Sequence, residues 1–497
     1  MLVAHQIFDS GHVPIADIYP IMHIWLSIFY HFLTDYIFST VILSIAFFIL
    51  YILSLVVLGT TILGTKKGGI LISLFGIPLI FSGLYNSFIP FLFALLTFPL
   101  ILYAYHKITN NPAQKNRFYI CLVFLSLFIV FCHPMISVFL LIMFSIFTLF
   151  ELFKGRAMLR QLNGEAANIL IIVSLTLPLW WLQNSQALDS LQAIATALFE
   201  QGSQISMISR QMNAVSTSNA SVGLVINRFL IIYGPICLYF SISLLFLFYL
   251  AYQYFKNNKM YETEFIYSLQ FCVAVFLGIV LMTGFFIIAE PIRAASYGLV
   301  FATILCGLFA YHERHRVGLI PSVTMIVTLV CVVSILTLFT SPWTGGTNAA
   351  LTYGDKNGID WTLEYRNTEI PLVKEELSNS KYAQYFYVTT PVANFQNLSE
   401  YKLFRNLNKY TSPVIPSHFG YLTNRTIGDS FAFLPENEVY LMTTELMRVA
   451  PTALPEDRRR LQKSFTDTDF IHLKNDPTVN LIYSGGDNFD VWTIARR

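Results

Sequence analysis

Long apolar runs recur along the first 340 residues, each broken by a short polar or basic connection. A helix crosses the hydrocarbon core of a bilayer with about 20 apolar residues, or about 17 at the short end. The pattern therefore predicts ten membrane-spanning helices, over roughly 37–63, 68–84, 88–105, 118–132, 134–153, 166–183, 228–254, 265–289, 293–311 and 318–340. The fourth and fifth are parted only by His133-Pro134. Pro78, Pro90, Pro99 and Pro178 fall within or near spans, where neighbouring helices can satisfy a freed backbone group.

The pattern changes after residue 340. Residues 1–340 hold 15 Lys/Arg and 11 Asp/Glu, whereas the 157 residues that follow hold 16 and 18. Over the whole chain 55% of residues are hydrophobic and 12% are charged. A soluble chain of this size carries about 25% charge. The expected fold class is thus an α-helical polytopic membrane protein, about ten transmembrane helices, with a C-terminal α+β extracytoplasmic domain over 341–497. Residues 1–36 form an outer loop segment with short helices, and 37–340 the transmembrane domain. The net charge of +2 argues against a nucleic-acid partner.

Basic residues set the orientation. Alternate connections hold Lys66 and Lys67; Lys107, Lys115 and Arg117; Lys154, Arg156 and Arg160; Lys256 and Lys259; Arg314 and Arg316. These are 12 of the 15 basic residues before position 341, and the opposite connections hold only Arg210, Arg228 and Arg293. The first set is expected at the cytoplasm, with residues 1–36 and the tail outside a plasma membrane. In the outer loop 184–227, Leu191, Ile194, Ala195 and Leu198 recur at helical spacing and predict an amphipathic surface helix. All six cysteines lie in or beside apolar segments, with neither zinc spacing nor a disulfide framework. Residues 1–17 contain no basic run of the kind that opens a cleavable signal peptide.

In the tail, Pro371–Ser380 suggests a short helix, Gln384–Thr390 a strand, and the stretch from Pro455 through Arg458-Arg459-Arg460 a helix with a solvated basic face. Val479–Tyr483 and Phe489–Ile494 flank Ser484-Gly-Gly-Asp-Asn, a hairpin signal. Asn219, Asn397 and Asn424 sit in N-glycosylation sequons.

Polar chemistry collects on the predicted outer side. Five of the ten histidines (His5, His12, His23, His31 and His133) lie there. If the opening segment is helical, His5, Asp9 and His12 share one face. Asp9 and Asp17 are the only carboxylates in 1–34. Arg293 stands at an outer boundary with Glu290 one turn earlier, and a guanidinium suits phosphate by its fork of donors. An ion pair with Glu290 is the structural alternative. His133 could line a site or cap a helix. His23 and His31 suit local hydrogen bonds on a half-buried helix, and His106, His312 and His315 belong with the basic flank.

The run from His5 through Gly11-His-Val-Pro14 to Tyr19-Pro-Ile-Met-His23 resembles the first outer loop of the GT-C superfamily, the multispanning glycosyltransferases that use polyprenyl-phosphate sugars. The turns at Asn86, His133-Pro134 and Pro291-Ile-Arg293 are similar to outer-face landmarks of archaeal and bacterial members. Asp476-Pro-Thr-Val-Asn-Leu-Ile-Tyr-Ser-Gly-Gly resembles their C-terminal domains. The resemblance implies sugar transfer from a polyprenyl-phosphate-linked donor to a glycan or protein acceptor at the outer face, among membrane lipid. Such a transfer needs a carboxylate for the acceptor's proton, for which Asp9 and Asp17 are the catalytic candidates, and His5, His12, Tyr19, His23, Asn86, His133, Glu290 and Arg293 are the candidate substrate-binding groups. Asp9, His12 and Asp17 could also hold a divalent cation. Two departures stand out. The family's first helix and its catalytic aspartate would precede His5, so the chain reads as one that starts inside the loop, or as a non-catalytic relative. The Trp-Trp-Asp-Tyr-Gly signature of oligosaccharyltransferase subunits is absent. A transporter is the competing class. Transporters place ionisable groups inside spans and carry internal repeats, and the span interiors read as nearly free of charge, with no evident repeat. A membrane-anchored binding or structural module is the third reading.

Overall fold

The computed structural model describes residues 4, 7–8, 10–13, 19–33, 36–80, 90–154, 165–183, 222–257, 261–283, 291–313, 319–338, 352–367, 370, 372–374, 417–423, 426–430, 438–445, 447–448, 465–485 and 489–495. The chain divides into two compact units, one of Ser10–Arg210 with Phe229–Leu338 and the other of Phe339–Arg497 with Met1–Asp9 and Gln211–Arg228.

Apart from short turns, the described residues of the first unit are helical. Its helices are α1 (Pro20–Leu33), α2 (Tyr36–Leu63), α3 (Lys66–Ile80), α4 (Pro90–Leu96), α5 (Phe98–Asn110), α6 (Lys115–Cys132), α7 (Pro134–Lys154), α8 (Glu165–Gln183), α9 (Val222–Asn257), α10 (Glu262–Thr283), α11 (Pro291–His312) and α12 (Leu319–Leu338). Each of the ten expected spans holds a helix. Eight helical stretches among the described residues are long and apolar enough to cross a membrane. The run α4–α5 and helix α11 are mostly buried and form the centre. Large apolar side chains such as Phe124, Leu182, Phe248 and Met325 are exposed around the outside. An apolar surface of that kind belongs in lipid, not water. Ser and Thr inside the helices return their hydroxyls to the carbonyl one turn back, as Ser54 does to Leu50 and Thr60 to Val56, so no polar group faces hydrocarbon unmet at those positions.

Helices α2 and α3 form a tight pair. Gly64 ends α2 with φ +67, the left-handed conformation that closes many helices. Thr65 then starts α3, its Oγ1 accepting from the Gly68 N–H at 3.2 Å. A Cβ on Gly59 would come 2.9 Å from the Cα of Gly69. The two backbones approach across paired glycines, the small-residue packing common between membrane helices.

The described tail is an α+β arrangement. A four-stranded sheet has the order β1-β2-β4-β3, from β1 (Leu372–Lys374), β2 (Glu438–Thr443), β3 (Val479–Ser484) and β4 (Asp490–Ala495). β1 runs parallel to β2, and β4 is antiparallel to β2 and β3. The expected hairpin of β3 and β4 is present. Of the expected helix Pro371–Ser380, the described residues Leu372–Lys374 are strand instead, paired with Tyr440–Met442, and the rest lies outside the described residues. Leu372 and Val373 are buried beside β2, which favours that pairing. Helices α13 (Tyr353–Tyr365) and α14 (Asp467–Asn475) open on capping boxes at Thr352/Asp355 and Thr466/Asp469. Phe419, Phe465, Phe470, Leu473, Val439, Leu441, Trp492 and Ile494 make the core. His418 and Phe419 hold φ near +55 and +51. The bond from His418 Nδ1 to Asp469 Oδ2, at 2.8 Å, anchors that turn. The strand Gln384–Thr390, the helix from Pro455, the amphipathic helix in 184–227 and the three sequons lie outside the described residues.

Candidate functional site

Two polar regions of the first unit stand at opposite ends of its helices. The first is built on the break between α6 and α7. His133 adopts φ −159, ψ 118 and ends α6, and Pro134 starts α7 where a missing N–H is harmless. The Ser137 hydroxyl donates to the carbonyl of His133 at 3.0 Å and to that of Ile129 at 3.3 Å. The Cys132 thiol donates to the carbonyl of Pro90 at 3.4 Å. These bonds hold the backbone of the break, where the side chain of His133 is 5% exposed.

Tyr19 stacks on that imidazole, with ring centroids 5.2 Å apart and planes 14° apart. Phe91 meets its edge at 5.4 Å, and His23 lies edge-on to Tyr19 at 6.5 Å. Trp180, near the end of α8, packs on Phe131 at 5.1 Å. The indole N–H groups of Trp180 and Trp181 have no hydrogen-bond acceptor among the described residues. The opening segment and the α6–α7 break, more than a hundred residues apart, thus meet in one aromatic group that carries two imidazoles. The start of α11 is at the same end, because Phe139 of α7 stacks on Tyr297 of α11 at 4.7 Å. Arg293 is the third residue of α11, and only its backbone is among the described positions.

Of the site residues expected from sequence, Tyr19, His23 and His133 are brought together. His12 is not on a helical face. Gly11 turns the chain with φ +70, and the backbone at His12 is a bend in which its N–H donates to Ser10 Oγ at 3.2 Å. A left-handed glycine breaks the periodicity that would align His5, Asp9 and His12. His5, Asp9, Asp17, Asn86 and Glu290 lie outside the described residues. No cluster of three or more His, Cys, Asp or Glu able to hold a metal occurs among the described residues.

In the second region His106 and His312, expected with the basic flank, are tied to side chains at the start of α10. His106 Nε2 lies 2.7 Å from the Tyr267 hydroxyl, and His312 Nε2 lies 3.2 Å from Glu264 Oε1. Tyr105 donates to Glu151 Oε1 at 2.5 Å, and Lys115 pairs with Glu165. Deeper along α10, Gln270 donates to the carbonyl of Met143 at 2.9 Å and accepts from the Tyr297 hydroxyl at 2.9 Å. Glu264, Tyr267 and Gln270 therefore form a polar file at three-residue spacing on the inward face of α10. It runs about 9 Å into the bundle at 1.5 Å per residue. Glu264 is only 8% exposed. The stretch Glu262-Thr-Glu-Phe-Ile-Tyr-Ser-Leu-Gln270 carried this signal, a polar stripe at helical spacing, but its partners come from α5, α7 and α11. Such buried ionisable groups in membrane helices are expensive unless paired. Tyr267→Phe should lower the stability of the detergent-solubilised chain by about 1 kcal/mol, the usual worth of one hydrogen bond, measured by its thermal unfolding midpoint.

No family model matches the chain, and no curated protein matches it.

Proposed function

We propose that the chain transfers a sugar from a polyprenyl-phosphate donor at the bundle end that carries Tyr19 and His133. The Tyr19–His133 stack carries this reading, since it joins the GT-C-like opening segment to the His133-Pro134 turn that resembles a landmark of the same family. In the reaction, the bond between the sugar C1 and the phosphate oxygen breaks as the acceptor oxygen or nitrogen bonds to C1. The acceptor proton passes to a carboxylate, for which Asp9 and Asp17 are the candidates, and the electron pair leaves with the polyprenyl phosphate. Arg293, His133 and the indole N–H groups of Trp180 and Trp181 are the proposed donors to the phosphate as its charge grows. In this reading the active face is the outer face of a plasma membrane, and the acceptor is a glycan or protein.

The test is turnover of radiolabelled lipid-linked sugar by the full chain in proteoliposomes. His133→Ala should reduce it about tenfold, the loss of one positioned donor of about 1.4 kcal/mol. Donor turnover that is absent in the unaltered chain, or unchanged in His133→Ala, overturns the reading.

The polar file on α10 favours a second reading, a transporter of lipids or sugars. A transporter moves lipid-linked sugar across proteoliposomes without forming product, and Glu264→Gln would stop that movement. Product formation without movement excludes it.

A further inference from the structure

Helix α1 is uncharged and apolar on more than the side it buries. Pro20–Leu33 contains no Asp, Glu, Lys or Arg. Met22 and Leu26 are buried, whereas Trp25, Ile28 and Phe32 are exposed, Phe32 to 77%. These three recur at helical spacing and make a second apolar face. A helix that is apolar on both faces belongs in a core or a membrane, not at a water surface.

Contacts with α2 set its depth. Trp25 stands about 12 Å before the end of α1, and Phe47 about 16 Å into α2, at 1.5 Å per residue. Their rings meet edge to face at 6.2 Å, so α1 folds back along the first turns of α2. Phe47 packs in turn on Phe93 at 4.5 Å and on Phe128 of α6 at 6.4 Å. Helix α2 is about 42 Å long, so a hydrocarbon core of about 30 Å leaves about 6 Å at each end, and Phe47 lies about 10 Å inside it. Trp25 is at the same level. Helix α1 covers only about 21 Å and is too short to cross that core. It packs on α2 and α6, both long and apolar enough to be spans. Both expose apolar side chains around it, Phe38 and Val41 on α2, Ile120 and Phe124 on α6. A face exposed at that depth, beside two such helices, meets the same surroundings as they do. We propose that α1 is a half-crossing helix whose face of Trp25, Ile28 and Phe32 is covered by acyl chains of the leaflet at the His133 end. Residues 20–33 then belong to the membrane-embedded body and not to a water-exposed loop. The proposal does not rest on the transfer chemistry above.

Photocrosslinking of the full chain in vesicles of phosphatidylcholine with tritiated acyl chains tests it. Ile28→p-benzoylphenylalanine and Phe32→p-benzoylphenylalanine place the photoprobe on the exposed face, where an added ring does not disturb the packed side. On irradiation each should capture tritium to within about twofold of Phe124→p-benzoylphenylalanine on α6. Thr468→p-benzoylphenylalanine, at an exposed position of α14 in the charged tail, should capture none above an unirradiated sample. Capture at positions 28 and 32 no higher than at position 468 overturns the proposal, as does crosslinking of those two positions to a second copy or within the chain in place of lipid.

Discussion

Replacing Asp476 with alanine unfolds the C-terminal domain and leaves the helical bundle folded. Asp476 is 7% exposed and its carboxylate accepts four hydrogen bonds. Oδ1 takes the Thr478 N–H at 2.8 Å and the Thr478 hydroxyl at 2.6 Å. Oδ2 takes the Ile427 N–H at 2.9 Å and the Tyr421 hydroxyl at 3.0 Å. One side chain therefore ties the turn Ser417–Thr423, the helical turn at Ile427 and the entry to β3. Hydrogen bonds to a charged group contribute about 1.5–3 kcal/mol each, and they do not add fully, so the expected loss is about 4 kcal/mol. A domain holds only about 5–15 kcal/mol in total.

Asp476 also gives this domain an acid limit. Burial by itself raises a carboxyl's pKa, but the bonds from Thr478, Ile427 and Tyr421 outweigh it and hold Asp476 below its ordinary value. Burial, together with the neighbouring Asp476 charge, pushes the Tyr421 phenol up, so it stays a donor. A carboxyl with a depressed folded pKa contributes stability that is complete above its unfolded value of about 3.9 and is lost as pH falls through the folded value. Amide hydrogen exchange in the tail of the full chain, corrected for the intrinsic rate at each pH, should therefore speed up below about pH 4. In Asp476→Asn it should be fast already near neutral pH, with most of that acid dependence gone. A tail equally protected in the variant and the unaltered chain would contradict this assignment.

Gly69→Leu should prevent the bundle from folding. A Cβ at Gly69 would fall on the carbonyl oxygen of Val56 and the hydroxyl of Thr60, with the Thr60 amide nitrogen 3.0 Å away. Two of these are backbone atoms of α2, which no rotamer change can move. On the next helix, a Cβ at Gly307 of α11 would come 2.6 Å from the Cα of Ile72 in α3. Helix α3 is thus closely packed against both α2 and α11. Overpacking a core with flexible neighbours costs about 1–3 kcal/mol, and an obstacle of backbone should exceed that range. Gly234→Leu provides the control, since a Cβ there meets nothing within 4 Å. Size-exclusion chromatography in detergent should give a monodisperse peak for Gly234→Leu and aggregate for Gly69→Leu. A monodisperse Gly69→Leu peak would show that α2 and α3 are not held this closely.

How much of this was legible in the residues depends on the range of the forces involved. The helices stand where the apolar runs stand, because hydrocarbon leaves a backbone no partner but itself and the bonds of a helix are local. The hairpin of β3 and β4 was equally legible, since Ser484-Gly-Gly-Asp-Asn encodes its own reversal. Strand β1 was not, because three residues form a strand only beside a partner more than sixty positions away. Gly11, a residue able to break a helix, stands between Asp9 and His12 and was legible as such.

The amino-acid order by itself determined the helical, apolar body, the charged tail and the collar of basic connections, all of which follow from local periodicity and composition. Only the tertiary structure decided that Tyr19 stacks on His133, that Glu264 meets His312 and Tyr267 meets His106, and that α1 folds back along α2. Each of those depends on side chains from different helices, whose approach is set by close packing of shapes and so has no signature at any fixed spacing along the chain.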